Sequence, residues 1–165
     1  ALSIMSASRS PLSFAKPTEK TIEQLNVLNM TVFPVRYGPK FYSAILTDDS
    51  FSAHTALFNE VLVGGVTARK LQNAETGSYY LYIMTIGVLA AYRGRGIGAQ
   101  LLQKVEEQAK ADKSVAYIEL HVQEGNNDAL AFYGKHGYEK KELVENYYQK
   151  VKPSSAHRLT KEITH

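Results

Sequence analysis

Arg93-Gly94-Arg95-Gly96-Ile97-Gly98 joins two stretches of opposite periodicity. Before it, YYLYIMTIGVLA (Tyr79 to Ala90) is dense in β-branched and aromatic residues and reads as a long strand. After it, Ile97, Leu101, Leu102, Val105 and Ala109 recur on one face of a helix predicted from Ile97 to Ala111. A strand that turns through glycines into a helix forms an anion cradle. Glycine lets the backbone approach a ligand closely, and the first free N–H groups of the helix, with its dipole behind them, face the negative charge. The glycines are spaced GxGxG rather than GxGxxG and follow no βαβ unit, so this is not a dinucleotide fingerprint. No Lys-Ser or Lys-Thr follows the last glycine, so it is not a triphosphate P-loop either.

Upstream, HTALF (His54 to Phe58), a turn at Asn59-Glu60 and VLVGGVTAR (Val61 to Arg69) predict a hairpin. A second turn between Asn73 and Ser78 joins it to the long strand as an antiparallel meander. Still earlier, Ile22, Leu25 and Leu28 predict a helix from Thr21 to about Thr31, with Thr21 as N-cap and Gln24 completing a capping box. Pro34 keeps Phe33 extended, and a short helix is expected from Lys40 to Leu46. Residues 1–10 are small and hydroxylic and read as a flexible leader before one domain spanning 11–165. Downstream, a strand is expected from Val115 to Val122, then a helix opened by Asn126 to Asp128 and closed by Gly137 in a left-handed conformation. Tyr138 to Glu145 and Ala156 to Ile163 add two more strands.

Composition narrows the chemistry. The 165 residues include no cysteine and no tryptophan, which removes disulfides, a thiolate nucleophile and a Cys-ligated zinc site. No metal is expected. No apolar run approaches the roughly 18 to 20 residues of a membrane span, and the N-terminus has no apolar signal segment. The expectation is a soluble protein without a membrane role, cytoplasmic and secondarily nuclear. The net charge of +3 and pI of 9.0 come from scattered Lys and Arg, which argues against direct nucleic-acid function. A mild positive excess still suits a polyanionic cofactor or an acidic assembly such as a ribosome.

Two strands carry chemistry on one side. Tyr82 and Met84 share a face opposite Ile83, while Tyr117, Glu119 and His121 share the face opposite Ile118, Leu120 and Val122. A polar face on a well-formed strand invites a functional explanation.

Arg93, Gly96 and Gly98 fit R/Q-x-x-G-x-G/A, and the run from Asn126 to Tyr138 is similar to N-x-x-A-x-x-F-Y-x-x-x-G-F with Tyr138 at the last aromatic. In both respects the chain resembles the GNAT acetyltransferases. The resemblance implies an α/β (α+β) GNAT fold, a mixed, mostly antiparallel sheet of about seven strands with about four helices around it. It also implies acetyl-CoA as co-substrate. The turn Arg93, Gly94, Arg95, Gly96, Ile97, Gly98 and Ala99 would hold the pyrophosphate, and Ile86, Gly87 and Val88 would hold the pantetheine from a splayed strand edge. Val88 N–H would face the thioester oxygen. Asn126, Ala129, Tyr133 and Lys135 would lie on the cofactor side, with the Tyr133 hydroxyl beside the departing sulfur.

Four further segments resemble the NatE type of N-terminal acetyltransferase within that family. They are LYIMT (Leu81 to Thr85), LHVQ (Leu120 to Gln123), FPVRY (Phe33 to Tyr37) and NYY (Asn146 to Tyr148). This resemblance implies that Tyr82 and His121 act through an ordered water as general base, and that the amine attacks acetyl-CoA directly. It implies a peptide site of Phe33, Pro34, Val35, Tyr37, Met84, Tyr147, Tyr148, Gln149, Lys150 and Val151, favouring N-terminal Met before a hydrophobic residue. The NatA complex, with its large auxiliary and catalytic subunits, and the ribosome are the implied partners. Two other readings stay open: a GNAT enzyme for lysine side chains or small amines, and a largely non-catalytic subunit of an N-acetylation complex. Retention of Arg93, Gly96 and Gly98 together with Tyr82 and His121 favours an active enzyme.

Overall fold

The computed structural model describes residues 10–165, so all of the expected leader but Ser10 lies outside the described residues. In chain order the elements are β1 (Leu12–Ala15), α1 (Ile22–Val32), α2 (Pro39–Thr47), β2 (Phe51–Phe58), β3 (Val61–Gln72) and β4 (Tyr79–Val88). After a 3-10 turn (Ala90–Tyr92) come α3 (Ile97–Ala111), β5 (Val115–Gln123), α4 (Asn127–Lys135), β6 (Glu139–Val144) and β7 (Ala156–Glu162). The strands form one sheet in the order β1-β2-β3-β4-β5-β7-β6. Every pairing is antiparallel except β4 with β5. The expected architecture, seven mostly antiparallel strands with four helices, is therefore present.

The β2–β3 hairpin turns on Asn59 and Glu60, both at positive φ (49° and 67°), the handedness that matches strand twist in a two-residue loop. Two local expectations change, and one strand is added. LSFA forms β1, because its alternate Leu12 and Phe14 pack on the core while Thr55 Oγ1 donates to Ala15 O. The capping box at Thr21 does not form: Thr21 Oγ1 accepts from Thr18 N–H instead, and Thr18 O receives the N–H groups of Thr21 and Ile22. The chain enters α1 through that turn. β4 ends at Val88 rather than Ala90, since Ala90–Tyr92 wind into the 3-10 turn.

The apolar stripe of α3 is fully inside, packed on the sheet with Ile118, Leu120, Val122 and Leu159. On the opposite face α1 and α2 cover only the β2–β4 half, through Leu25, Leu28 and Tyr42. The same face of β5, β7 and β6 is left for polar and aromatic side chains. The parallel β4–β5 pairing stops at Tyr82 and Glu119, although β4 runs on to Val88 and β5 to Gln123. The two strands part there, and the gap opens a way through the sheet.

Candidate active site

The gap belongs to a cleft of about 1130 Å³ that passes from the turn before α3 to the loops on the opposite face. β4 forms its spine. In an antiparallel ladder alternate residues direct their backbone groups to the same neighbour. Leu89 N–H already donates to Val63 O of β3, so Ile86 and Val88 turn theirs toward the side that β5 has left. Gly87 stays in register opposite Gly65 and marks a close approach. A Cβ there would lie 2.8 Å from Val32 Cγ2 and 3.0 Å from Phe33 Cζ, so glycine at this position lets the α1–α2 loop lie against the strand. The irregularity in β4 comes earlier, at Met84, the residue skipped between the pairs Thr67–Thr85 and Ala68–Ile83.

At the cofactor end, Gly94 and Gly96 sit at φ +77° and +76°, and Gly96 is the N-cap of α3. Gln100 N–H donates to Gly96 O, leaving the amides of Ile97, Gly98 and Ala99 as the unpaired first turn. A Cβ on Gly98 would meet Phe132 only at 3.7 Å, ordinary contact, so the protein's own packing does not demand glycine there. Its bareness, on the cleft wall, suits a ligand lying against the helix end. Asn126 Oδ1 accepts from Ala129 N–H and caps α4, which carries Ala129, Phe132 and Tyr133 to the cleft wall. Tyr133 is buried, and desolvation pushes its phenol upward, so it stays protonated.

Across the gap, Tyr82 Oη lies 2.8 Å from His121 Nδ1 and 2.7 Å from Tyr147 Oη. The His121 and Tyr147 rings stack with centroids 4.4 Å apart and 13° between planes. Tyr37 Oη donates to Met84 O at 3.3 Å, so the bulge carbonyl ties the α1–α2 loop to β4. Burial, then the Tyr147 hydroxyl, pushes the Tyr82 phenol far above its usual range. Burial holds His121 below the usual histidine value. A phenol that stays protonated therefore lies within hydrogen-bond distance of a histidine held toward its neutral form.

All the residues expected to form the peptide site line this cleft: Phe33, Pro34, Val35 and Tyr37 from the α1–α2 loop, Met84 from β4, and Tyr147 to Val151 from the β6–β7 loop. Of those expected around the cofactor, Ile86, Gly87, Val88, Arg93, Gly98, Asn126, Ala129 and Tyr133 line it too. Gly94, Arg95, Gly96, Ile97, Ala99 and Lys135 do not line it. The Arg93 side chain donates from Nε to Val88 O at 2.9 Å, fastening the turn to the end of β4. Arg95 lies over the rings of Phe58 and Tyr92, and Ile97 is a core residue. Lys135 stands in the last turn of α4, beyond the cleft lining. Phe132, Arg36 and Thr85 are among the cleft-lining residues that the sequence reading missed. Thr85 Oγ1 is buried without a partner among the described residues, a detail that a threonine in a β-rich run does not announce.

The model of the acetyltransferase (GNAT) family matches residues 21–138. The chain is 40% identical over 153 residues to the probable N-acetyltransferase san of Drosophila melanogaster, covering 93% of this chain and 82% of that protein. It is 41% identical over 148 residues to N-alpha-acetyltransferase 50 of Danio rerio, covering 88% and 85%. Among solved structures, Arabidopsis thaliana Naa50 in complex with the bisubstrate analogue CoA-Ac-MVNAL superposes with a TM-score of 0.82 at 35% identity, over 92% of this chain and 98% of that one.

Proposed function

Because the chain belongs to the acetyltransferase (GNAT) family, we infer that it is a protein N-terminal acetyltransferase of the NatE type, with acetyl-CoA as acetyl donor. The observation that carries the reading is the cleft itself: one channel joins a free helix N-terminus to a tyrosine–histidine pair through parted strands. The Arabidopsis relative was captured with a CoA-linked peptide beginning Met-Val, which supports an acceptor with Met followed by an apolar residue.

On this reading the amides of Ile97, Gly98 and Ala99 face the pyrophosphate, and the open edge of β4 at Ile86 and Val88 accepts the pantetheine. Acetyl-CoA supplies an activated thioester: the amine nitrogen bonds to the acetyl carbon as the carbon–sulfur bond breaks, and one amine proton is balanced by protonation of sulfur. Val88 N–H stabilises charge on the thioester oxygen, and the protonated Tyr133 donates to the sulfur as it leaves. His121 accepts the amine proton through Tyr82 and an intervening water. An α-amino group titrates near 7.7 to 8.0, so a neutral imidazole is a sufficient base. Tyr37, Tyr147 and Tyr148 would hold the peptide backbone, and Phe33, Pro34, Val35, Met84 and Val151 the first side chains, with Gln149 and Lys150 at the rim.

Partnership with a NatA-type complex and the ribosome, and a cytoplasmic and nuclear location, belong to the same reading. The net charge of +3 and the absence of cysteine are in keeping with both. Acetyl transfer to peptides differing at their first two residues, with an internal-lysine control, tests the assignment. Preference for the lysine control would replace it with a side-chain acetyltransferase.

A further inference from the structure

On the open face of the sheet, an ion network stands directly behind His121. Arg158 of β7 is its cross-strand partner in the β5–β7 register, and Glu119 lies two residues earlier on the same face of β5. Arg158 Nη1 donates to Glu119 Oε1 at 2.7 Å, and its Nε donates to Glu142 Oε1 of β6, also at 2.7 Å. The Glu119 side chain is 12% exposed, Arg158 28% and Glu142 59%. One planar guanidinium is thus held between two carboxylates, of which Glu119 is the more buried.

We propose that Arg158 and Glu119 are positioning residues for the proton-accepting step, setting from opposite directions the charge that the His121 imidazole experiences. The inference rests on the reading of His121 as base. The groups facing His121 are Tyr82 from β4, Glu119 from β5, Arg158 from β7, Glu142 from β6 and Tyr147 from the β6–β7 loop. Tyr37, Arg36, Tyr148 and Lys150 line the same cleft. Among the described residues, Glu119, Arg158 and Glu142 combine charge with an immediate position in the sheet behind the ring. The carboxylates favour the imidazolium and the guanidinium opposes it, in the same sense as burial. Without Arg158, two carboxylates would face His121 uncompensated. The imidazolium would then be favoured, and the pH below which the base is occupied would rise. The arrangement explains why an arginine occupies an otherwise ordinary β7 position beside the site.

The sign of the effect separates this role from simple strand fastening. In the full chain, an NMR titration of His121, assigned by its absence in His121→Ala, should move upward by on the order of half a pH unit or more in Arg158→Gln. It should move downward in Glu119→Gln, and Arg158→Lys should stay near the parent. The acid limb of kcat at saturating peptide should follow in the same directions. A purely structural network would leave the titration in place or shift both variants the same way, and either result overturns the inference. If Arg158→Gln fails to fold, Glu142→Gln carries the test from the exposed end, with a downward shift expected and no shift overturning it. Full turnover in His121→Ala would instead defeat the assignment of the base, while leaving the titration of His121 in the other variants as the measure of the network.

Discussion

Tyr82 Oη sits 2.8 Å from His121 Nδ1, although the strands that carry them stop pairing at Tyr82 and Glu119. The phenol stands on the last paired rung and the imidazole two residues beyond it, so side chains hold the mouth of the gap where backbone bonds no longer do. On the proposed reading, the parting that would admit the acetyl donor also brings the base to its edge. Tyr147, stacked on His121 and within 2.7 Å of Tyr82 Oη, closes the group from the β6–β7 loop.

Tyr82→Phe and His121→Ala should each lower kcat for a Met-Leu peptide by about ten- to several thousand-fold, the range for loss of a general base, with acetyl-CoA affinity nearly unchanged. Tyr82→Phe keeps the ring and removes only the hydroxyl between His121 and Tyr147. Steady-state kinetics with calorimetric binding of acetyl-CoA measure both quantities. Near-normal turnover in both variants would remove this pair from the chemistry.

The pH dependence follows from the directions of two shifts. His121 is held below its ordinary value by burial, so it remains neutral, and able to accept a proton, down to that lowered value. Activity at saturating peptide should fall only on the acid side of the ordinary histidine value, about 6.5. Tyr82 is raised, so it stays protonated and should add no alkaline limb below about pH 10. A kcat profile whose acid limb lies above about pH 7 would contradict a neutral His121.

Much of this site was legible in the sequence because its chemistry depends on local pattern. The glycine turn, the stripe of α3 and the alternation of β5 are short-range signals, and α3 begins and ends where its periodicity predicts. What was not legible depends on contacts between distant segments. β1 is four residues whose strand character comes from pairing with β2. The crowding at Gly87 comes from Val32 and Phe33, which the fold brings from a distant segment. Arg158 and Glu142 are ordinary charged strand residues in sequence, and only the β5–β7–β6 order brings them behind His121.

The close approach at Gly87 gives a test that leaves every reacting group in place. In Gly87→Ala the new methyl would meet Val32 Cγ2 at 2.8 Å and Phe33 Cζ at 3.0 Å, so the α1–α2 loop must retreat. Overpacking of this kind costs about 1 to 3 kcal/mol, visible as a lower denaturation midpoint. Because the displaced wall is on the peptide side, KM for the peptide should rise more than KM for acetyl-CoA. An unchanged midpoint with unchanged peptide KM would show that the loop does not rest on β4 in solution.

Specificity decides between N-terminal and side-chain acetylation. Phe33, Pro34 and Val35 line the cleft together with Tyr147, Tyr148 and Val151, and Tyr37 is anchored on Met84 O, so these loops offer apolar and aromatic surface to the proposed acceptor. Burying an apolar first side chain there should contribute on the order of 1.5 to 3 kcal/mol, about ten- to a hundredfold in kcat/KM. A peptide beginning Met-Leu should therefore be acetylated much faster than one beginning Ser-Glu or one offering only an internal lysine. Phe33→Ala should erase much of that preference while leaving acetyl-CoA binding intact, because its ring lines the acceptor side of β4 rather than the helix end. Equal rates on all three peptides would mean that the loops do not select the first side chain, and a faster lysine peptide would assign the cleft to side-chain amines.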